Sequence, residues 1–252
     1  MKRLQTLLWP LVTAAIVLTV WQLAVTATDT QIFPSPVGVE KAVAQLFRKG
    51  LLLRYVGDSL FRVGTGYLVA ISLGIPLGIV LGYYPDAGDA VSPLIQILRP
   101  ISPLAWIPLS VVWFGVGNLA AIFLISLASF FPVVVSTMNA VRNVPHIFLR
   151  AGCNFGLSPI AVLTRVVFPA ALPQILIGLR ISLGIAWLVV VAAEMIAVDS
   201  GLGYLIIDSR NAGKRYDLVV AGMLLIGLIG LGLDTGMRRL NYLKSMRWGI
   251  SQ

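Results

Sequence analysis

Residues 150–173, RAGCNFGLSPIAVLTRVVFPAALP, decide the fold, and they lie between two long apolar segments, at about 119–140 and 174–198. The stretch is too polar and too interrupted to cross a bilayer. Gly156 and the Ser158-Pro159 pair divide it into two short helices, because serine caps a helix and proline fits its first turn. The sequence therefore predicts a helix–turn–helix in water beside a membrane. Its apolar residues are free to enter a groove of another protein: Phe148, Leu149, Phe155, Leu157 and Ile160.

The composition indicates an integral membrane protein. The 252 residues are 58% hydrophobic, with mean hydropathy +0.92, and only 12% are charged, whereas soluble domains carry about 25% charged residues. The net charge of +9 does not indicate nucleic-acid binding, because the basic residues lie at segment ends rather than on one soluble face. One histidine and one cysteine, Cys153, give no support for a metal site or an internal disulfide.

Apolar runs predict an all-α protein that forms a single membrane domain over residues 1–252, with a core at 56–236. The predicted crossings are about 7–28, 58–82, 90–114, 119–140, 174–198 and 217–236. We favour retention of the first helix over cleavage as a signal peptide, because Trp9 and Trp21 are typical interfacial anchors. Residues 199–216 are expected to form an outer connection, and residues 83–89 an inner turn.

Charge asymmetry orients these crossings. One side has ten basic and two acidic residues, and the other has seven basic and six acidic residues. The positive-inside rule then places both termini, the basic tail at 237–252 and the loop at 141–173 in the cytoplasm.

Several positions within the crossings are candidates for packing or transport. Gly74, Gly78 and Gly82 recur every four residues and predict close helix packing. The third crossing is rich in proline, so its broken backbone must be covered by protein or line a water-filled cavity. Three of its residues are spaced four apart and either face a pathway or pack against a helix: Ser102, Trp106 and Ser110.

Arg180, Trp187 and Glu194 fall on one face of the fifth crossing. Ionisable residues inside a membrane are costly and mark functional positions by default. Arg180 either lines a pathway or extends to the inner surface. Glu194 either lines a pathway or pairs with a neighbouring helix, and Trp187 faces protein or a pathway.

The loop spacing resembles a signature of permease subunits of ABC importers, which has Glu-Ala-Ala, three residues, Gly, nine residues and Ile-x-Leu-Pro. The matching positions are Arg150-Ala151-Gly152, Gly156 and the run 166–169, which ends in Pro169. Arg150 replaces the acidic residue, and Gly152 replaces the second alanine. Further segments resemble the nitrate, sulfonate, taurine and bicarbonate branch of this family: RPISPLAWIPL (99–109), GLRISLG (178–184), VAAEMI (191–196) and GLG (201–203).

This resemblance, which covers about residues 30–248, implies the type I ABC importer permease fold in the bacterial inner membrane. It implies that Arg150, Ala151, Gly152, Phe155, Gly156, Leu157 and Pro169 couple the chain to ATPases. The implied partners are two cytoplasmic ATP-binding subunits, an extracytoplasmic binding protein, membrane lipid and a second permease copy or a paralogue. ATP and magnesium would be bound by the ATPases, since this chain has no Walker A pattern and is expected to be no enzyme.

The expected substrate is a small anion or organosulfonate, with Arg62 and Arg180 as candidate positive groups. An uncharged pyrimidine-type compound is the alternative. An ion-coupled secondary transporter would need a coupling-ion site and inverted repeats. An intramembrane enzyme would need paired catalytic groups at one depth, and a membrane scaffold would give no reason for the spacing in the loop.

Overall fold

The structure, a computed structural model, describes residues 2–28 and 33–245. All secondary-structure elements in these residues are helices. Residues 246–252, the last seven residues of the predicted basic tail with Arg247 and Trp248, lie outside the described residues. The helices are α1 (Lys2–Thr28), α2 (Pro36–Arg48), α3 (Leu51–Tyr83), α4 (Pro85–Leu98), α5 (Ile107–Phe114), α6 (Asn118–Arg142), α7 (His146–Asn154), α8 (Pro159–Val162), α9 (Phe168–Glu194), α10 (Leu202–Gly213) and α11 (Tyr216–Ser245). A 3₁₀ turn, Pro103–Trp106, precedes α5, and a π turn, Leu163–Val167, joins α8 to α9.

Apolar helices lie at the positions of all six predicted crossings. Within the described ranges, four are long and apolar enough to span a bilayer: Leu51–Tyr83, Asn118–Arg142, Pro159–Glu194 and Tyr216–Arg239. The segments Pro85–Leu98 and Pro103–Phe114 form a further candidate that bends by 78° at its break, and Leu11–Ala27 is a shorter apolar helix. The all-α membrane fold is thereby confirmed.

The centre of the molecule is the contact between α3 and α6. Gly74, Gly78 and Gly82 face α6 so closely that a Cβ atom on any of them would lie within 3.0 Å of α6 atoms. Gly66 meets Ile125 near the start of α6, whereas Gly82 meets residues near its end, so the two helices run parallel. The missing side chains let the two backbones pack directly. α9 packs against both α6 and α3.

The third predicted crossing is not a single segment. α4 already begins at Pro85, in the region predicted to be an inner turn, and the chain breaks before Pro103. Ser102 is extended, with ψ 129°, because the ring of a following proline disfavours helical geometry in the residue before it. The prediction of one crossing at 90–114 is therefore corrected to two helices with a bend between them.

The fifth crossing is longer than predicted. α8, the π turn and α9 form one continuous segment, Pro159–Glu194, so the second short helix of the loop is joined to the crossing instead of separated from it. Pro169 explains the π turn, because proline has no N–H to donate and its ring crowds the preceding turn. The Phe168 N–H accordingly bonds to the Leu163 carbonyl, five residues back. The predicted outer connection at 199–216 also contains a helix, α10.

The molecule has two ends. The loop end contains residues 141–173, where α6 ends. The opposite end contains the turn at 115–117 and the segment 195–215, where α9 ends and α11 begins.

Candidate functional site

The segment 141–173, called the coupling loop after its expected role, has the local geometry that the sequence predicts. α7 ends at Asn154, and Gly156 then adopts a left-handed conformation with φ +72°. The Ser158 hydroxyl accepts a hydrogen bond of 3.3 Å from the Ala161 N–H and so caps α8. Glycine suits position 156 because residues with a Cβ are strained at positive φ.

The coupling loop exposes apolar side chains. Phe155 is 85% exposed and Ile160 is 75% exposed, while Ile147 and Phe148 are also exposed on α7. Gly152 is buried beneath Leu157, which is half-buried. Ala151 and Arg150 are exposed, and Arg150 makes no ion pair within the part of the chain that the structure describes. An exposed apolar patch of this kind is typical of a surface that enters another protein.

A cavity of about 530 Å³ lies beside the loop-end half of α6. Its walls are the end of α4 with the following break, the 3₁₀ turn, α6 between Leu127 and Asn139, and α9 between Gly178 and Ile185. The lining is mainly apolar, with polar groups at Arg99, Ser136 and Asn139. A cavity of this size accommodates a small solute.

The three spaced residues of the third crossing are placed differently from one another. Trp106 lines the cavity. Ser102 is exposed, and its hydroxyl accepts from the Leu104 N–H to cap the 3₁₀ turn. Ser110 is fully buried and donates to the Ile107 carbonyl. The bend and the 3₁₀ turn between them remove the common helical face that their spacing indicates.

Arg180 and Trp187 both face α11. Two guanidinium nitrogens of Arg180 contact the carboxylate of Asp234, with Nη2–Oδ2 at 2.8 Å. The Trp187 indole N–H donates to the Ile226 carbonyl at 3.0 Å. Neither side chain lines the large cavity; both border a small one, of about 50 Å³, between α9 and α11.

Glu194 belongs to a buried charge network at the opposite end. Its Oε1 lies 2.7 Å from Nη1 of Arg62 on α3, and the side chains are 0% and 2% exposed. Its Oε2 accepts from the Ser59 hydroxyl and the Gly203 N–H, each at 2.9 Å. Arg62 also donates to the side chain of Asn118, at 2.8 Å, and to the hydroxyl and carbonyl of Ser200. The network thus joins α3, α6, α9 and the turn before α10.

Two glycines let the chain wrap around the Glu194 carboxylate. Gly201 has φ +107°, and a Cβ on it would overlap the carboxylate. A Cβ on Gly203 would lie 2.8 Å from the Glu194 Cβ. The GLG motif at 201–203 therefore lets the backbone pack directly over the buried Glu194 carboxylate, which is paired with Arg62. Sequence reasoning missed these partners, although the balance of two arginines and two carboxylates inside the crossings was a signal for two ion pairs.

Among the described residues, no group of three or more His, Cys, Asp and Glu side chains is arranged to hold a metal ion.

Solved structures share the fold of this chain. An inward-facing structure of the MetNI methionine ABC transporter includes a chain that matches this one with a TM-score of 0.69. The match covers 77% of this chain and 96% of that chain, at 20% sequence identity. The shared architecture is that of an ABC importer permease.

The sequence comparisons identify the family. Residues 74–243 match the model of the binding-protein-dependent transport system inner membrane component, and the chain belongs to that family. The taurine transport system permease protein TauC of Escherichia coli is 39% identical over 237 residues, which are 90% of this chain and 85% of TauC. The nitrate import permease protein NrtB of Synechococcus elongatus is 38% identical over 188 residues, which are 74% and 67% of the two chains.

The predicted resemblance, to this family and to its branch, is confirmed by these relatives. The chain is the membrane permease subunit of an ABC importer, a class that works with ATP-binding subunits and a substrate-binding protein.

Proposed function

We propose that this chain carries a small anion or organosulfonate across the bacterial cytoplasmic membrane, driven by ATP hydrolysis in partner subunits. The observation that carries the mechanism is the continuous helical segment Pro159–Glu194. One end lies in the exposed coupling loop, the middle walls the cavity, and Glu194 at the other end is anchored to Arg62. A stiff element with these three contacts can transmit a displacement of the loop to both the cavity and the opposite end.

The coupling loop supplies the contact with the ATPases. Each α7–α8 pair inserts Phe155 and Ile160 into a cleft of one ATP-binding subunit, and the turn at Gly156 fixes the angle between the helices. Arg150 replaces the acidic residue of the family signature, so its partner in the cleft is an acidic or neutral group. ATP and magnesium are bound by the partner, and this chain catalyses no reaction.

Two copies of the chain enclose the pathway. The cavity is open on one side, and six crossings are too few to surround a polar route, so a second copy completes it as a homodimer. The loop end faces the cytoplasm together with both termini, as the charge asymmetry indicates. The opposite end receives ligand from the binding protein. Closure of the ATPases moves the two loops together and shifts the cavity from inward-open to outward-open, which is alternating access between two states.

The anion or organosulfonate class is supported by the relatives named for nitrate and for taurine transport. The test is ATP-dependent uptake in proteoliposomes that contain the permease with its ATPase and binding protein. We expect accumulation of labelled taurine or nitrate that requires all three components. Accumulation of uracil instead would favour the pyrimidine alternative, and accumulation driven by an ion gradient without ATP would favour a secondary transporter.

The coupling role is tested with Gly156→Val. No atom lies within 4 Å of a Cβ at position 156, so the substitution acts through strain at φ +72°. We expect ATP hydrolysis that no longer responds to the loaded binding protein, and uptake reduced by about tenfold or more.

Gly50→Val is the matched control for Gly156→Val, because Gly50 has φ +69° in equally open space between α2 and α3. It should retain coupled uptake. Normal coupling in Gly156→Val, or an equal defect in Gly50→Val, would contradict the docking role of the loop.

A further inference from the structure

The cavity contains a single ionisable side chain. Of the residues that line it, only Arg99 is charged, and no acidic residue borders it. Arg99 lies where α4 ends, before the break at Ser102. The other polar side chains of the lining are the neutral Ser136 and Asn139.

Arg99 differs from the arginines that the sequence nominates as anion ligands. Arg62 is neutralised by Glu194, and Arg180 is neutralised by Asp234. Neither borders the large cavity. The Arg99 guanidinium makes no ion pair or hydrogen bond within the described residues, so its charge remains available to a ligand.

The surroundings suit a small oxyanion. Arg99 is exposed and reaches solvent through the open cavity, while apolar walls, including Trp106 and Phe131, reduce screening on the side where a ligand would lie. The planar guanidinium presents paired N–H donors that match two oxygens of one ligand. A cationic ligand would meet an uncompensated positive charge, and a ligand without an anionic group would gain no charge pairing from it.

An arginine at the end of α4 is also favoured by the helix dipole and by the positive-inside rule. These two effects would favour Arg99 even if its side chain were outside the cavity and paired with an acid. Arg99 both borders the cavity and lacks an acidic partner among the described residues, and a ligand-binding role explains this combination.

We propose that Arg99 is the anion-binding residue of the translocation cavity and selects small monovalent oxyanions such as sulfonates or nitrate. This inference rests on the proposed function, because the cavity must be part of the pathway. The bound anion lies between the guanidinium and the neutral polar groups of α6.

The experiment measures the electrostatic preference of the cavity directly. Cys153, the only cysteine of the chain, is replaced by Ser, and Ile181, an exposed cavity residue, is replaced by Cys. In the nucleotide-free permease–ATPase complex in lipid nanodiscs, the new thiol reacts with anionic sulfonatoethyl or cationic trimethylammonioethyl methanethiosulfonate. The ratio of the two rates on this chain reports the local potential.

We expect Arg99→Gln and Arg99→Met to lower the anion-to-cation ratio by about tenfold, because each removes one nearby positive charge. Arg99→Lys should keep most of the ratio. The matched control is Arg210→Gln, which removes an exposed charge of α10 at the opposite end and should change the ratio by less than about twofold. Two Arg99 variants are used so that failure of one to assemble still leaves a measurement.

A second measurement distinguishes a specific anion-binding site from a positive electrostatic potential that merely attracts any anion. Methanesulfonate or nitrate should slow the reaction saturably when Arg99 is present, and should lose this effect in Arg99→Gln. Protection by one anion but not the other supports the site and identifies its ligand class. An unchanged rate ratio in the Arg99 variants, an equal fall in Arg210→Gln, or protection by neither anion would overturn the proposal.

These measurements need neither ATP nor the binding protein. A complex that fails to import any anion but retains the Arg99-dependent protection would refute the proposed function while leaving the anion site in place.

Discussion

Two arginine–carboxylate pairs connect distant helices of this permease, and their surroundings differ. Arg62 and Glu194 are 2% and 0% exposed, and further side chains and backbone groups complete their hydrogen bonds. Arg180 and Asp234 are 34% and 37% exposed, and Asp234 also contacts Arg238. The first pair lies at the opposite end, where α3, α6 and α9 converge, and the second joins only α9 and α11.

The contrast shows what burial does to an ion pair. A buried charge that loses its partner cannot be solvated, so removal of one member leaves a large penalty. An exposed charge that loses its partner is solvated by water or by lipid head groups, and the net effect is small. The network around Glu194 is therefore expected to fix the architecture, whereas the pair at Asp234 adjusts the contact between α9 and α11.

The largest effect is expected for Glu194→Ala. The change leaves the Arg62 guanidinium buried without its counter-ion and removes an acceptor from Ser59 and Gly203. We expect a loss of stability of about 3–5 kcal/mol. Thermal unfolding of the purified permease in detergent should show a midpoint lower by on the order of 10 °C, with reduced yield and uptake.

A double variant, Arg62→Met with Glu194→Met, sharpens this prediction. It removes both charges together, so it should be less destabilising than Glu194→Ala, as replacement of buried pairs by apolar residues often is. It should not restore full stability, because Asn118 and Ser200 still lose their partner. A wild-type midpoint in Glu194→Ala would show that the pair contributes nothing to the fold.

An intermediate effect is expected for Gly203→Ala. The added methyl would press on the Glu194 Cβ and on the Val191 backbone, and backbone cannot move aside as a flexible side chain can. Overpacking of this kind costs about 1–3 kcal/mol. Gly184→Ala is the matched control, since position 184 of α9 has open space and alanine favours a helix. Equal unfolding midpoints for the two variants would contradict tight packing around the carboxylate.

The sequence predicted the features that depend on neighbouring residues. The cap at Ser158, the turn at Gly156 and the glycine face of α3 are set by short-range chemistry and by helical periodicity. The same information could not join Glu194 to Arg62, because 132 residues separate them. Periodicity gives the face of a helix on which a residue lies, but not the helix that this face meets.

The cavity illustrates the same limit. Spacing placed Ser102, Trp106 and Ser110 on one face, but the bend before Pro103 separates them, and only Trp106 of the three borders the cavity. Arg99 entered the sequence reasoning as the first residue of the RPISPLAWIPL segment, within the predicted crossing at 90–114, and its position in the cavity depends on the packing of three helices.

The depth of each charge in the membrane was an unused signal. Arg62 and Glu194 fall near the outer ends of their predicted crossings, and Arg180 and Asp234 fall near the inner ends, so depth alone would have paired the four residues correctly.

The smallest effect is expected for Asp234→Ala. Arg180 and Arg238 then lose their acceptor, but Arg238 is 66% exposed, and the long Arg180 side chain, 34% exposed, can extend to the membrane surface at the loop end. The unfolding midpoint should fall by only a small fraction of the change caused by Glu194→Ala. Raising the salt concentration from about 0.1 M to 1 M shortens the screening length from about 10 Å to 3 Å. The difference between wild type and Asp234→Ala should therefore shrink in high salt, whereas that of Glu194→Ala should persist, because salt does not reach a sealed pair. If both differences shrink equally, the Arg62–Glu194 pair is accessible to solvent, and the contrast between the two pairs does not hold.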